Sequence, residues 1–190
     1  GLRTAADVDA AVDAGADAVG FVFTESKRQV SVDEVRALLA RVPPFVARVG
    51  VFRWPGALKL RRVLDAVELD LIQVYPPAGA TLPDVRCLPA FCDSDDLAGR
   101  VEATAPGGLI LLDGGTPGAG RVGDWARIAE LASRRRIVLA GGLDPDTVAD
   151  AIDAVGPWGV DVSSGVESAP GVKDPGRIRA FVRAASKESP

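Results

Sequence analysis

Hydrophobic positions along the chain follow two alternating spacings. Apolar runs of strand length occur at 18–23, 45–52, 69–75, 85–91, 108–112, 137–139 and 159–162, and nearly every residue in them is apolar, as in strands buried on both faces. Between them, apolar residues recur at helical spacing: Val8, Ala11 and Val12; Val35, Leu38, Leu39 and Val42; Leu60, Val63, Leu64 and Val67; then Ile128, Leu131 and Ala132. Val148, Ala151, Ile152 and Val155 form the next stripe, and Ile178, Phe181, Val182 and Ala185 the last. A more modest helix is expected over 95–104.

Start and stop signals agree with this spacing. Thr4 with Asp7, and Ser31 with Glu34, have the form of capping boxes, and Gly15 stops the first helix. Asp124 can cap a helix, and Asp144-Pro145 and Asp174-Pro175 each put a cap ahead of a first-turn proline. The segment after Tyr75, Pro76-Pro77-Ala78-Gly79-Ala80-Thr81-Leu82-Pro83, carries too many breakers for a normal helix. One outer helix is therefore reduced or lost.

Alternating strands and helices with apolar strands predict an α/β fold, a parallel sheet covered by helices. The pattern contains seven strands and opens on a helix, whereas a closed (β/α)8 TIM barrel needs eight strands. The expectation is a single barrel domain over 1–190 whose first strand lies ahead of Gly1 and whose fourth outer helix is reduced. The sequence has no methionine, which fits an N-terminal piece outside it.

Composition narrows the chemistry. The 190 residues are 47% hydrophobic and 25% charged, with a formal net charge of −4. No basic cluster is interleaved with aromatics, so nucleic acid is not the expected partner. The triplet Arg134-Arg135-Arg136 reads as the last turn of a helix. There is no apolar run of membrane length and no signal peptide, so neither membrane nor export is expected and the location is read as cytoplasmic. Cys87 and Cys92 supply neither a disulfide framework nor a paired metal motif, and histidine is absent. Proton transfer must then use a carboxylate, a thiol or a lysine.

Two stretches offer a phosphate cradle. Ala140-Gly141-Gly142-Leu143 and Val162-Ser163-Ser164-Gly165 each leave a predicted strand. Gly141, Gly142 and Gly165 allow close approach of backbone N–H groups to an anion, and Ser163 and Ser164 add two hydroxyls. Glycines after a strand also make plain turns. Their occurrence in consecutive strand-to-helix connections favours phosphate, which barrels of this type commonly bind after strands seven and eight.

With Ala14-Gly15-Ala16-Asp17-Ala18-Val19-Gly20-Phe21, Ser26-Lys27-Arg28-Gln29-Val30, Leu111-Leu112-Asp113, Ala140-Gly141-Gly142-Leu143 and the long motif from Gly159 to Glu167 followed by Pro170-Gly171-Val172-Lys173-Asp174, the chain resembles the phosphoribosylanthranilate isomerases of tryptophan biosynthesis. The resemblance runs over essentially the whole chain. It implies an Amadori rearrangement of N-(5-phosphoribosyl)anthranilate to the 1-(2-carboxyphenylamino)-1-deoxyribulose 5-phosphate, with no cofactor and no metal. Asp113 matches the family's general acid, Arg28 its contact to the anthranilate carboxylate, and Asp161 an inward aspartate at the end of strand eight that holds ribose hydroxyls. The general base is a cysteine expected directly before Gly1, which neither Cys87 nor Cys92 matches; without it, the chain should bind ligand better than it turns it over.

The sequence departs from the family's usual pattern at Gln73-Val74-Tyr75-Pro76, where Gln-Leu-His-Gly is usual, and in the loop 114–120, where Gly-Gly-Thr-Gly is usual. That loop is expected to cover the substrate, with Gly118 and Gly120 approaching it. The partner implied is a small phosphoribosyl compound, bound by a monomer or homodimer. Two other readings stay open: another phosphosugar isomerase or epimerase of the same barrel type, and a non-catalytic phosphate-ligand barrel.

Overall fold

The computed structural model describes residues 1–114 and 125–186. Seven parallel strands, β1 (Ala18–Val22), β2 (Ala47–Phe52), β3 (Leu71–Val74), β4 (Cys87–Cys92), β5 (Ile110–Asp113), β6 (Ile137–Ala140) and β7 (Gly159–Val160), lie side by side in chain order. Helices α1 (Ala5–Asp13), α2 (Val32–Leu39), α3 (Ala57–Leu64), α4 (Leu97–Thr104), α5 (Trp125–Ala132), α6 (Val148–Val155) and α7 (Pro175–Ala185) alternate with them. Among the described residues, no helix is long and apolar enough to cross a membrane. The connection from Tyr75 to Arg86 holds no helix, as its prolines require.

The two sides of each strand diverge as the two-residue period demands. Phe21, Phe52, Ile72, Phe91, Ile110, Leu112, Ile137 and Leu139 join the apolar layer beneath the helices. Their neighbours in the chain, Leu88, Ala90, Leu111 and Ala140, pack separately with Leu71, Tyr75, Leu109 and Val138 as the lining of the curled sheet. By the same alternation, Cys92 and Asp113 project to the inner side at the C-terminal ends of their strands. Seven parallel strands curl side by side with helices on their outer face, the arrangement of a (β/α) barrel.

Contacts also join the two ends of the chain. Asp17 and Phe23 bond to β2, so Gly20 turns its carbonyl to the opposite edge of β1, where it accepts from Leu2 N–H at 2.9 Å. Helix α1 packs on α7, and the Arg3 guanidinium donates to the Gly171 carbonyl. The chain's two ends therefore meet across this seam.

Local signals explain most helix starts. Thr4 and Ser31 make complete capping boxes with Asp7 and Glu34, each cap contributing about 1 kcal/mol. The Asp174 carboxylate accepts from Gly176 and Arg177 N–H, with Pro175 in the first turn. Asp144-Pro145 behaves differently, because Asp144 accepts from Asp146 N–H and from both the N–H and hydroxyl of Thr147. That closes a separate turn, so α6 begins at Val148 rather than at Pro145.

Other boundaries shift for identifiable reasons. Phe45 is 97% exposed; Val46 N–H folds back to the Pro43 carbonyl, and β2 starts only at Ala47. The arginine triplet follows α5 rather than ending it. Arg135 there donates to the carbonyls of Ala105 and Gly108, and Ala105 is the C-cap of α4. A cation thus meets a neighbouring helix's negative end instead of its own. Strand β7 is shorter than the expected 159–162, and a 3-10 turn (Ser164–Val166) and a hairpin of β8 (Glu167–Ala169) with β9 (Val172–Lys173) follow it.

Candidate active site

Asp113 is the last residue of β5, and its position is set from both sides. In register it stands beside Cys92 of β4 and Ala140 of β6. Its carbonyl accepts from Asp93 N–H, and the pairing continues past it through Gly114 N–H to the Ala140 carbonyl. The side chain is half-buried on the inner side.

Around Asp113 the polar groups are few and shielded. The Tyr75 hydroxyl accepts from the Gln73 side-chain amide at 3.3 Å. Burial pushes the Tyr75 phenol up, and the nearby negative charges of Asp113 and Asp161 push it further. The Cys92 thiol is raised by burial and then by Asp113. Both groups therefore stay protonated near neutrality. Cys87, at the other end of β4, is also raised by burial. Its thiol points to the Pro83 carbonyl at 3.7 Å.

The two glycine-containing stretches come together beside this rim. Gly141 and Gly142 follow β6 directly, with φ of +88° and +72°, a region that disfavours side chains. Gly165 crosses the residues after them so closely that a Cβ on it would lie 1.9 Å from the Leu143 carbonyl oxygen. Among the described residues, the N–H groups of Gly141, Gly142, Ser163 and Ser164 find no hydrogen-bond acceptor. Unpaired backbone donors on two touching turns are what an anion nest requires. Asp161, just past β7, donates its N–H to the Leu139 carbonyl at 2.8 Å and is exposed at the rim, so it is not a buried structural carboxylate.

Arg28 arrives from the loop after β1. That loop is anchored by a bridge between Val22 and Gln29 and by Val30 N–H on the Val22 carbonyl. Its guanidinium grips Glu167 twice, Nε to Oε1 at 2.6 Å and one terminal nitrogen to Oε2 at 2.8 Å. Glu167 also accepts from Lys173 Nζ at 2.9 Å and Gly171 N–H at 3.1 Å. Burial would raise the Glu167 carboxyl, but the bonds from Arg28, Lys173 and Gly171 outweigh it and hold the pKa at about 2. Burial pulls the Lys173 ammonium below its usual value, against the opposing pull of Glu167.

Sequence comparison bears on what this rim is for. The family model described as N-(5′-phosphoribosyl)anthranilate (PRA) isomerase matches residues 1–184. An N-(5′-phosphoribosyl)anthranilate isomerase of Pseudomonas fluorescens is 42% identical over 195 residues, spanning 97% of this chain and 95% of the relative. The chain belongs to the phosphoribosylanthranilate isomerase family. Among solved structures, the Thermotoga maritima phosphoribosylanthranilate isomerase superposes with a TM-score of 0.84 at 37% identity, covering 97% of this chain and 95% of that one. Another phosphoribosylanthranilate isomerase, solved with reduced 1-(o-carboxyphenylamino)-1-deoxyribulose 5-phosphate, gives 0.81 at 35% identity, covering 97% and 94%.

Set beside the family expectation, the residues named from sequence share one end of the sheet. Asp113, Asp161, Gly141, Gly142, Ser163, Ser164 and Gly165 lie at or just past the C-terminal ends of β5, β6 or β7, and Arg28 joins them from the loop after β1. The Gly1 amino nitrogen also lies within electrostatic range of Arg28, Asp161, Glu167 and Lys173. Most of the expected cover loop 114–120, with Gly118 and Gly120, and the expected cap Asp124 lie outside the described residues. Sequence reasoning did not assign the pairing of Arg28 with Glu167 or the burial of Lys173. The available signal was Pro170-Gly171, a turn dipeptide that folds Glu167 and Lys173 into one hairpin.

Proposed function

We propose that the chain catalyses the Amadori rearrangement of N-(5-phosphoribosyl)anthranilate to 1-(2-carboxyphenylamino)-1-deoxyribulose 5-phosphate, acting as one barrel domain in the cytoplasm, as monomer or homodimer. The observation that carries this reading is the convergence, at one end of the sheet, of a shielded carboxyl, a cationic fork and a backbone anion nest. The substrate has matching groups: a ring oxygen to be protonated, an aryl carboxylate and a phosphate. A nucleic acid would supply a phosphate but no aryl carboxylate for Arg28.

The chemistry needs two proton transfers. Asp113, in its protonated form, donates to the furanose ring oxygen as the C1′–O bond breaks and the anthranilate nitrogen lone pair forms the Schiff base. A base then removes the C2′ proton, the electrons neutralise the iminium, and the enolamine tautomerises to the ketone. We take that base to be the cysteine that the family resemblance implies ahead of Gly1, whose nitrogen lies within electrostatic range of Asp161. Arg28 pairs with the aryl carboxylate through its planar fork. Gly141, Gly142, Ser163, Ser164 and Gly165 hold the phosphate, and Asp161 accepts from ribose hydroxyls.

The test is the fluorescence loss of freshly formed phosphoribosylanthranilate, with titration of the reduced product analogue as an arm that does not depend on turnover. Turnover with saturable binding is expected. Binding without turnover in a protein that carries the upstream cysteine would leave the non-catalytic phosphate-ligand barrel in its place. A substrate lacking the aryl carboxylate but turned over equally well would favour a different phosphosugar isomerase, because Arg28 would then have nothing to pair with.

A further inference from the structure

Building on that reading, we infer that Glu167 and Lys173 are positioning residues. They fix Arg28 for the substrate carboxylate and set its distance from the phosphate nest, so that the site selects ligands bearing both groups. Three observations carry this inference.

The first is how the Arg28 fork is divided. A guanidinium has five N–H donors in one plane. Glu167 occupies the edge formed by Nε and one terminal nitrogen, which leaves the edge between the two terminal nitrogens able to take a second carboxylate in the same bidentate manner. Held by one carboxylate along its side, Arg28 presents its end.

The second is that Glu167 has no freedom to release its partner. Its side chain is only 4% exposed. It accepts two bonds from Arg28, one from Lys173 and one from Gly171, which fills the capacity of a carboxylate. Arg28 itself remains 27% exposed, so the fixed group is the acid and the presented group is the cation.

The third is Lys173, whose side chain is 1% exposed. A buried ammonium is costly, and an apolar residue of similar size commonly serves stability as well or better. Here Nζ donates both to Glu167 and, at 2.7 Å, to the Ser163 carbonyl. Ser163 belongs to the anion nest. The bonds Ser163–Lys173–Glu167–Arg28 thus form one continuous link between the expected phosphate and carboxylate positions, and Asp161 adds its charge beside Lys173.

The experiment compares two probes by equilibrium titration: the reduced 1-(o-carboxyphenylamino)-1-deoxyribulose 5-phosphate, and the same compound made with aniline, which keeps the phosphate and lacks the carboxylate. Wild-type preference for the first probe tests the functional reading. The change in that preference on Glu167→Gln tests the positioning role. The variant should bind the carboxylate-bearing probe about tenfold or more weakly and the aniline probe within about twofold of wild type. Because Glu167→Gln leaves Lys173 buried without its anion, the double variant Glu167→Gln/Lys173→Met is measured alongside, with thermal melts to establish folding, and should show the same selective loss. An equal loss for both probes would make the link merely structural, and no loss for either would remove it from ligand recognition. Either result overturns the inference while leaving the functional reading in place; a wild type with no preference overturns both.

Discussion

Gly165 and the Leu143 carbonyl pack so tightly that the smallest added side chain has no room: a Cβ at Gly165 would come within 1.9 Å of the oxygen and 2.9 Å of the Asp144 Cα. Both obstacles are backbone, so neither can swing aside. This contact joins the turn after β6 to the turn after β7.

Gly165→Ala should therefore separate the two turns. The expected outcome is a loss of about tenfold or more in affinity for the reduced product analogue, with a lowered melting temperature. Gly99→Ala provides the control. Gly99 lies within α4 with open space around its missing side chain, and alanine there should stabilise by about 0.5–1 kcal/mol and leave binding unchanged. Calorimetric titration and thermal melts of the two variants check both outcomes.

Asp113→Asn keeps the shape of the side chain and removes the acid proton. A fall in kcat of about 10²-fold or more is expected, within the range of lost general acid catalysis. Affinity for the product analogue should change little, since the proposed phosphate site does not include Asp113. A rate close to wild type in the fluorescence assay would take Asp113 out of the mechanism.

Much of this arrangement was legible from local signals, and the exceptions share a physical cause. The capping boxes at Thr4 and Ser31 involve residues three apart, and the stripes of α1 to α7 need only helical spacing. The same dipeptide, Asp-Pro, starts a helix at Asp174 but not at Asp144, because Thr147 offers Asp144 a hydroxyl and Gly165 packs on its backbone. The residues of the two touching turns could be named because glycine and serine after a strand are local signals. The Arg28–Glu167 pair could not: its partners are 139 positions apart, and only the curl of the sheet brings them together.

Acid should weaken the fold through Glu167. Its pKa is held at about 2 in the folded protein, against 4.5 for an ordinary glutamate. A carboxyl depressed on folding adds stability that is fully present above its unfolded pKa and lost as pH falls through its folded one. Wild-type melting temperature should thus fall between about pH 5 and pH 2. Glu167→Gln has no such proton to gain, so the gap between the two proteins should narrow over that interval. Asp70, also held at about 2 by hydrogen bonds from the Arg48 side chain and backbone, contributes to the acid limb of both. Melts at half-unit pH steps check this, and a gap that widens toward pH 2 would contradict it.

Cys92 sits next to Asp113 at the rim, which makes it the obvious thiol to suspect as a base. The direction of its shift argues otherwise. Burial and the Asp113 charge raise its pKa, so the thiolate fraction at neutral pH is smaller than that of a free cysteine, and the thiolate is the reactive form. A raised pKa leaves a group that keeps its proton when the C2′ proton must be taken. Two outcomes follow from the same cause. Alkylation of Cys92 by iodoacetamide at pH 7.5 should run at least about tenfold slower than that of a free thiol and accelerate on unfolding in guanidinium, followed by mass spectrometry of the peptide. Cys92→Ala should leave kcat within about twofold, because the residue beside Asp113 fills space and holds a neutral S–H there.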